Sequence, residues 1–127
     1  MSARRSIRID GLSHLTAIPV ATRIGPLITS SVIAPFDPGT RNVPDGWDAQ
    51  YANLFRHVGL MLAEAGADWR HVAKMEFWIP DASARAALEG PWTEKFPDER
   101  SRPSRHTHVG EGPVATASFI AYVDEDE

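Results

Sequence analysis

Residues 47–80 read WDAQYANLFRHVGLMLAEAGADWRHVAKMEFWIP. Two periodicities meet in this stretch. Trp47, Tyr51, Leu54, Val58, Met61 and Ala65 recur at three- and four-residue spacing, which places them on one stripe of a helix. Asp45 is positioned to cap its start, Asp48 sits in the first turn, and Gly66 is the stop signal. The other face carries Asp48, Arg56 and Glu64, so the helix is one-sided and must lie on something apolar. From His71 the period falls to two. Ala73, Met75, Phe77 and Ile79 point one way; Val72, Lys74, Glu76 and Trp78 point the other. A helix that hands over to a strand implies a helix layer packed on a sheet.

Outward from this stretch the chain reads as further strands and one more helix. Upstream, Ser6 to Asp10 alternates as a short strand. Ala17 to Arg23 and Leu27 to Ala34 are apolar, β-branched runs split by Gly25-Pro26, which predicts a hairpin. Pro35 to Pro44 is a loop. Downstream, Asp81 can cap a second helix from Ala82 to Phe96, interrupted at Gly90-Pro91. Pro103 to Val109 and Val114 to Val123 are strand candidates. The order β-β-β-α-β-α-β-β predicts a mixed sheet of about six strands with both helices on one face, an α+β architecture. The opposite face would carry Val72, Trp78, Val114, Ile120 and Tyr122. An uncovered apolar face implies a partner surface, and self-association is the simplest one.

A chain of 127 residues is expected to be one domain, with residues 1–13 an N-terminal arm and strand and 124–127 a solvated acidic tail. There is no cysteine, which excludes disulfides and thiolate chemistry and fits a cytoplasmic, reducing setting. Neither a secretory signal nor a membrane span is expected, because no apolar run approaches about 18 residues. The net charge of −4 argues against nucleic acid, which needs clustered Lys or Arg.

The chemistry concentrates in residues 101–112, SRPSRHTHVGEG. In a strand, Arg105 and Thr107 share one face and His106 and His108 the other. As metal ligands the two histidines need a third group, from His71 or His57, and no Asp or Glu lies within the motif. The preferred reading is therefore two hydrogen-bonded packing imidazoles and no metal. Arg105 is different: a guanidinium inside a strand needs an anion, and it grips carboxylates bidentately. Read alone, it is either a structural ion pair with one of the 17 acidic residues or a ligand anchor.

Several segments then resemble the RidA/YjgF family, small proteins also labelled translation initiation inhibitor or endoribonuclease L-PSP. The resemblance runs from about His14 to Val123. Ser31 and A-P-F-D-P at 34–38 are similar to the family's strand-to-loop S-G-Q-[IV]-P-x-[DN]-P. AQYANLFRHVGLMLAEAG at 49–66 looks like its first helix, and WRHVAK at 69–74 like the turn and strand that follow. P-S-R at 103–105 is similar to its P-[AS]-R. The resemblance implies a chorismate-mutase-like fold. It also implies a homotrimer whose sheets form a central barrel, with clefts between subunits. The implied activity is cofactor-free hydrolysis of enamines and imines that carry a carboxylate, to ketoacids and ammonia. By the same resemblance Arg105 is the carboxylate anchor, Thr107 takes a cysteine slot whose carbonyl helps hold water or the substrate nitrogen, and Ser31 is a cleft serine. The guanidinium must then stand free at a subunit boundary.

Departures accompany the match. The family's G-P-Y-S becomes T-A-I-P at 16–19, so Ile18 replaces a cleft tyrosine. E-I-E-A-I-A becomes T-A-S-F-I-A at 116–121, so Thr116 and Ser118 stand where acidic residues would, and the water-directing glutamate is missing. The loop at 109–114 is shorter than the family's. A helix asparagine appears as Glu89. Glu89, Glu111 and Glu76 are the candidates to replace the lost carboxylate, against the simpler reading that they are solvated acids. Two functions follow: a deaminase of altered substrate preference, or a non-catalytic module that binds a small carboxylate.

Overall fold

A computed structural model describes residues 3–12 and 17–124 of the chain. Residues 125–127 of the expected acidic tail at 124–127, and His14 and Thr16 of the family-like segment, lie outside the described residues. The elements are β1 (Arg5–Ile7), β2 (Ala21–Ile24), β3 (Leu27–Ser30), α1 (Trp47–Glu64), a short 3-10 turn (Trp69–His71), β4 (Val72–Ile79), α2 (Ala82–Lys95), β5 (Ser104–Val109) and β6 (Thr116–Tyr122). The strands form one mixed sheet in the order β1-β2-β3-β6-β4-β5. Only β4 and β5 run parallel among these pairs, joined by α2 as the crossover.

Both helices cover one face. The core between the layers holds Tyr51, Leu54, Val58 and Met61 of α1, Leu88 and Trp92 of α2, and Met75, Phe77, Ala117 and Phe119 of the sheet. Phe77 lies at its centre, edge-on to both Tyr51 and Trp92. An aromatic in such a place carries about 3–5 kcal/mol relative to alanine.

The end of α1 explains Gly66. Ala67 N donates to Leu62 O at 2.8 Å and Gly66 N to Ala63 O at 3.1 Å, the paired bonds of a left-handed helix stop. Gly66 has φ 82°. Arg23 completes this end by donating from Nη1 to Ala65 O at 2.6 Å.

Local expectations change: the first strand is Arg5–Ile7, the third ends at Ser30 and the last begins at Thr116, and four further differences have a physical reason. The start of α1 is capped by Gly46 with φ 89° and no side-chain bond, not by Asp45. Strand β2 begins at Ala21 rather than Ala17, after Pro19, which has no N–H for a ladder. Helix α2 runs through Gly90-Pro91 without interruption, because Ala84, Leu88 and Trp92 seat one face of it in the core on both sides of the proline. Asp81 does cap it, accepting from Ala84 N at 3.0 Å. Finally, β4 carries a bulge between Val72 and Lys74. Val72 pairs with Ala121 and Lys74 with Ile120, leaving Ala73 as the extra residue. Val72 is therefore buried and Ala73 exposed, the reverse of strict alternation.

Candidate functional site

Strand β5 lies at the edge of the sheet, and its parallel register sets Arg105 beside Met75 and Thr107 beside Phe77. Met75 and Phe77 are fully buried, so Arg105 and Thr107 face the helices. The guanidinium lies under α2. Arg105 Nη2 donates to Glu89 Oε1 at 2.6 Å, and its Cζ is 5.0 Å from the centre of the Trp92 ring. The arginine side chain is 16% exposed and the glutamate 57%, so the pair opens to water on the glutamate side. The guanidinium is thus not free, as the ligand-anchor reading required; a carboxylate of its own chain holds one of its amino groups. The other is not satisfied. Arg105 Nη1 and Thr107 Oγ1 are both buried without a hydrogen-bond partner among the described residues. Below them the Tyr51 hydroxyl donates to Ala84 O at 2.6 Å. Burial pushes that phenol up to about 12 even though the Arg105 charge opposes the shift.

The other expected site residues lie elsewhere. In β6, Ala117, Phe119 and Ala121 are buried against the helices, which turns Thr116 and Ser118 to the opposite face. Within one chain a ligand on Arg105 cannot touch them. Ile18 is 49% exposed. Ser31 Oγ donates to Pro19 O at 2.8 Å, which ties the exit of β3 to the segment carrying Ile18. Strands β3 and β5 are separated by β6 and β4, about 14 Å at the usual spacing of about 4.8 Å per strand. The chain therefore groups Arg105, Thr107 and Glu89 at the β5 edge, and Ile18 with Ser31 at the exit of β3, an interior strand. Glu111 is exposed on the β5–β6 loop, its N–H donating to Ile79 O.

The histidines are also redistributed. His57 is buried, and its Nε2 lies 2.7 Å from Phe36 O. A carbonyl only accepts, so Nε2 carries the proton. Burial holds its pKa below the ordinary value; the bond to Phe36 partly offsets this and the Arg56 charge adds to it. His71 accepts from Asp68 N at 3.0 Å and closes a capping box. Neither approaches His106 and His108. Instead the third polar group is Glu76 of β4, the register partner of His106. His108 Nε2 is 2.9 Å from Glu76 Oε2. That bond, the largest influence, holds the Glu76 carboxyl below its usual range. The sequence carried the outward-facing parity of Glu76 and of both histidines. The parallel register that sets the two strands side by side is written in neither one.

A mixed six-stranded sheet with two helices on one face is the architecture of the YjgF-like α+β class. Residues 16–111 match the family model described as Endoribonuclease L-PSP, which covers most of the chain and ends before β6. Solved structures agree in fold. RidA from the Antarctic bacterium Psychrobacter sp. superposes with TM-score 0.84 at 22% identity, over 94% of this chain and 99% of that one. Yeast Mmf1 gives 0.84 at 16% identity, over 96% and 100%. The YjgF gene product from E. coli gives 0.82 at 18%, over 93% and 98%. No curated protein sequence matches the chain. The chain belongs to the RidA/YjgF family. Among the described residues no helix is long and apolar enough to cross a membrane.

Proposed function

We propose that this protein hydrolyses small imines and enamines that carry a carboxylate, with Arg105 as the anchor. The observation that carries this reading is the orphaned pair, Arg105 Nη1 and Thr107 Oγ1. Leaving a buried donor unmade costs about 1–3 kcal/mol, so a fold that keeps two together is poised for an acceptor from outside. A carboxylate suits both, and the guanidinium already holds one in Glu89. Because Glu89 is more than half exposed, that pair is worth only about 0.2–1 kcal/mol. A substrate carboxylate can displace it and also engage the second amino group.

The chemistry then asks little of the protein. An enamine is first protonated on its β-carbon to give the imine. Water adds to the imine carbon, the C=N π electrons move to nitrogen, and nitrogen takes a proton. The carbinolamine then collapses, its C–N bond breaks, and ketoacid and ammonia leave. Glu89, once released from Arg105, is the nearest carboxylate to receive and return the water proton; such assistance is worth about 10²–10⁴ in rate. Thr107 lends its hydroxyl, and its carbonyl holds water or the substrate nitrogen.

We further propose a cytoplasmic homotrimer. Leu27, Ile120 and Tyr122 share the helix-free face, with Leu27 opposite Tyr122 in register, and each is at least 40% exposed. Assembly would bring the Ile18 and Ser31 segment of one copy toward the Arg105 edge of the next. Light scattering should report about three times the 14.0 kDa chain mass, and a monomer at micromolar concentration would refute this.

A second reading, a non-catalytic carboxylate-binding module, is favoured by one observation: Thr116 and Ser118, at the slots of the family's acids, point away from Arg105. The test generates 2-aminoacrylate and bulkier imino acids in situ and follows ketoacid release, with Arg105→Ala as control. Acceleration that disappears in the control supports the enzyme. Rates equal to buffer for every imine, with ketoacid binding retained, leave the module.

A further inference from the structure

On the face of the sheet away from the helices, two imidazoles and a carboxylate converge. His106 and His108 project from alternate positions of β5, their ring centres 3.8 Å apart and tilted by 36°. Glu76, on the parallel neighbour β4, is the register partner of His106. Its Oε2 lies 2.9 Å from His108 Nε2. One ligand atom from each of the three falls within 4.8 Å of the others. Trp78 stacks flat on His108, at 5.1 Å and 4°, which fixes the orientation of that ring.

We propose that Glu76, His106 and His108 form a three-ligand zinc site. The donor set is that of zinc centres with an open position: two imidazole nitrogens and one carboxylate oxygen, with water completing the tetrahedron. At metal–ligand lengths of about 2.0–2.2 Å the ligand atoms of a tetrahedral site sit about 3.4 Å apart. The present spread closes to that through the side-chain torsions of Glu76 and His106, while Trp78 holds the His108 ring in place. His106 is exposed, and Glu76 and His108 are about 29% and 28% exposed. Two imidazoles 3.8 Å apart beside a carboxylate offer a shared divalent cation one ligand atom each. The opposing group is Lys74, whose Nζ lies 3.8 Å from Glu76 Oε1. Its side chain is 40% exposed, and its ammonium can leave Glu76 once the metal neutralises the carboxylate. Rigid β-strands carry all three ligands, so no chain rearrangement opposes binding.

The site lies across the sheet from Arg105 and does not depend on the proposed reaction. Untagged protein, stripped with chelator, is titrated with Zn²⁺ by calorimetry and with Co²⁺ by visible absorption. One Zn²⁺ per chain and tetrahedral cobalt bands are expected. His106→Ala and His108→Ala should each weaken zinc at least about 100-fold, beyond the 10–100-fold that loss of an outer-shell partner costs. Glu76→Gln, which keeps the shape of the strand, should do the same, while His71→Ala should leave zinc affinity unchanged. Zinc binding absent from the wild type, or retained unweakened in any of the three ligand variants, overturns the assignment.

Discussion

Replacing Glu89 with Gln keeps the length of the side chain and removes its charge. In the free protein Glu89 competes with any ligand for Arg105, through one contact of 2.6 Å between a largely buried guanidinium and a half-solvated carboxylate. At about 0.2–1 kcal/mol for such a pair, Glu89→Gln should tighten binding of a small ketoacid by about 1.4- to 5-fold. Turnover should move the other way. If the released carboxylate handles the water proton, kcat should fall by about 10² or more. The variant is thus expected to bind better and work worse. Calorimetry with pyruvate measures the first effect, and imine hydrolysis at saturating substrate the second. A helix defect would weaken both, so the opposed signs separate a local role from general damage. Unchanged turnover would refute the proton-handling role of Glu89. Affinity that falls instead of rising would refute the competition and make the glutamate part of the binding surface.

Two further outcomes test the frame around the site. His57 has a folded-state pKa below the ordinary value of about 6.5, so the unfolded chain binds more protons between the two values. Its contribution is complete above about pH 6.5 and is lost as pH falls through the folded pKa; urea midpoints should drop over that window, and His57→Gln should flatten the drop. Gly66→Ala should cost about 1–2 kcal/mol, because Gly66 has φ 82° and an added Cβ would sit 3.2 Å from Arg23 Nη1. An unchanged denaturation midpoint in Gly66→Ala would contradict the account of that helix end.

The fold was legible where one residue pattern answered to one neighbour. The stripe from Trp47 to Ala65, the parity of Met75, Phe77 and Ile79, and the cap at Asp81 all describe a segment meeting a single apolar layer. Legibility failed where two segments decide jointly. The bulge at Ala73 exists because β4 must pair with β6 and still present Val72 to the core, and nothing in HVAK announces an extra residue. Pro91 read as a break because the sequence shows the missing N–H and not the core contacts on both sides of it. At the site, alternation correctly put Arg105 and the histidines on opposite faces. It could not say that α2 would bring Glu89 onto the guanidinium, nor that β4 would bring Glu76 to the imidazoles. Both partners come from other segments and depend on packing and register.

Ala73 also makes the length of this chain negotiable at one point. Remove it, and the burial sequence of β4 becomes strictly alternating, inside and outside from Val72 to Ile79. A one-residue deletion, which elsewhere in a sheet inverts every position beyond it, would here leave Met75 in the interior and Glu76 outside. The chain can therefore lose a residue at this position without its chemistry drifting from one side of the protein to the other. A deletion variant that melts within a few degrees of the parent would bear this out, and one that fails to fold would count against it.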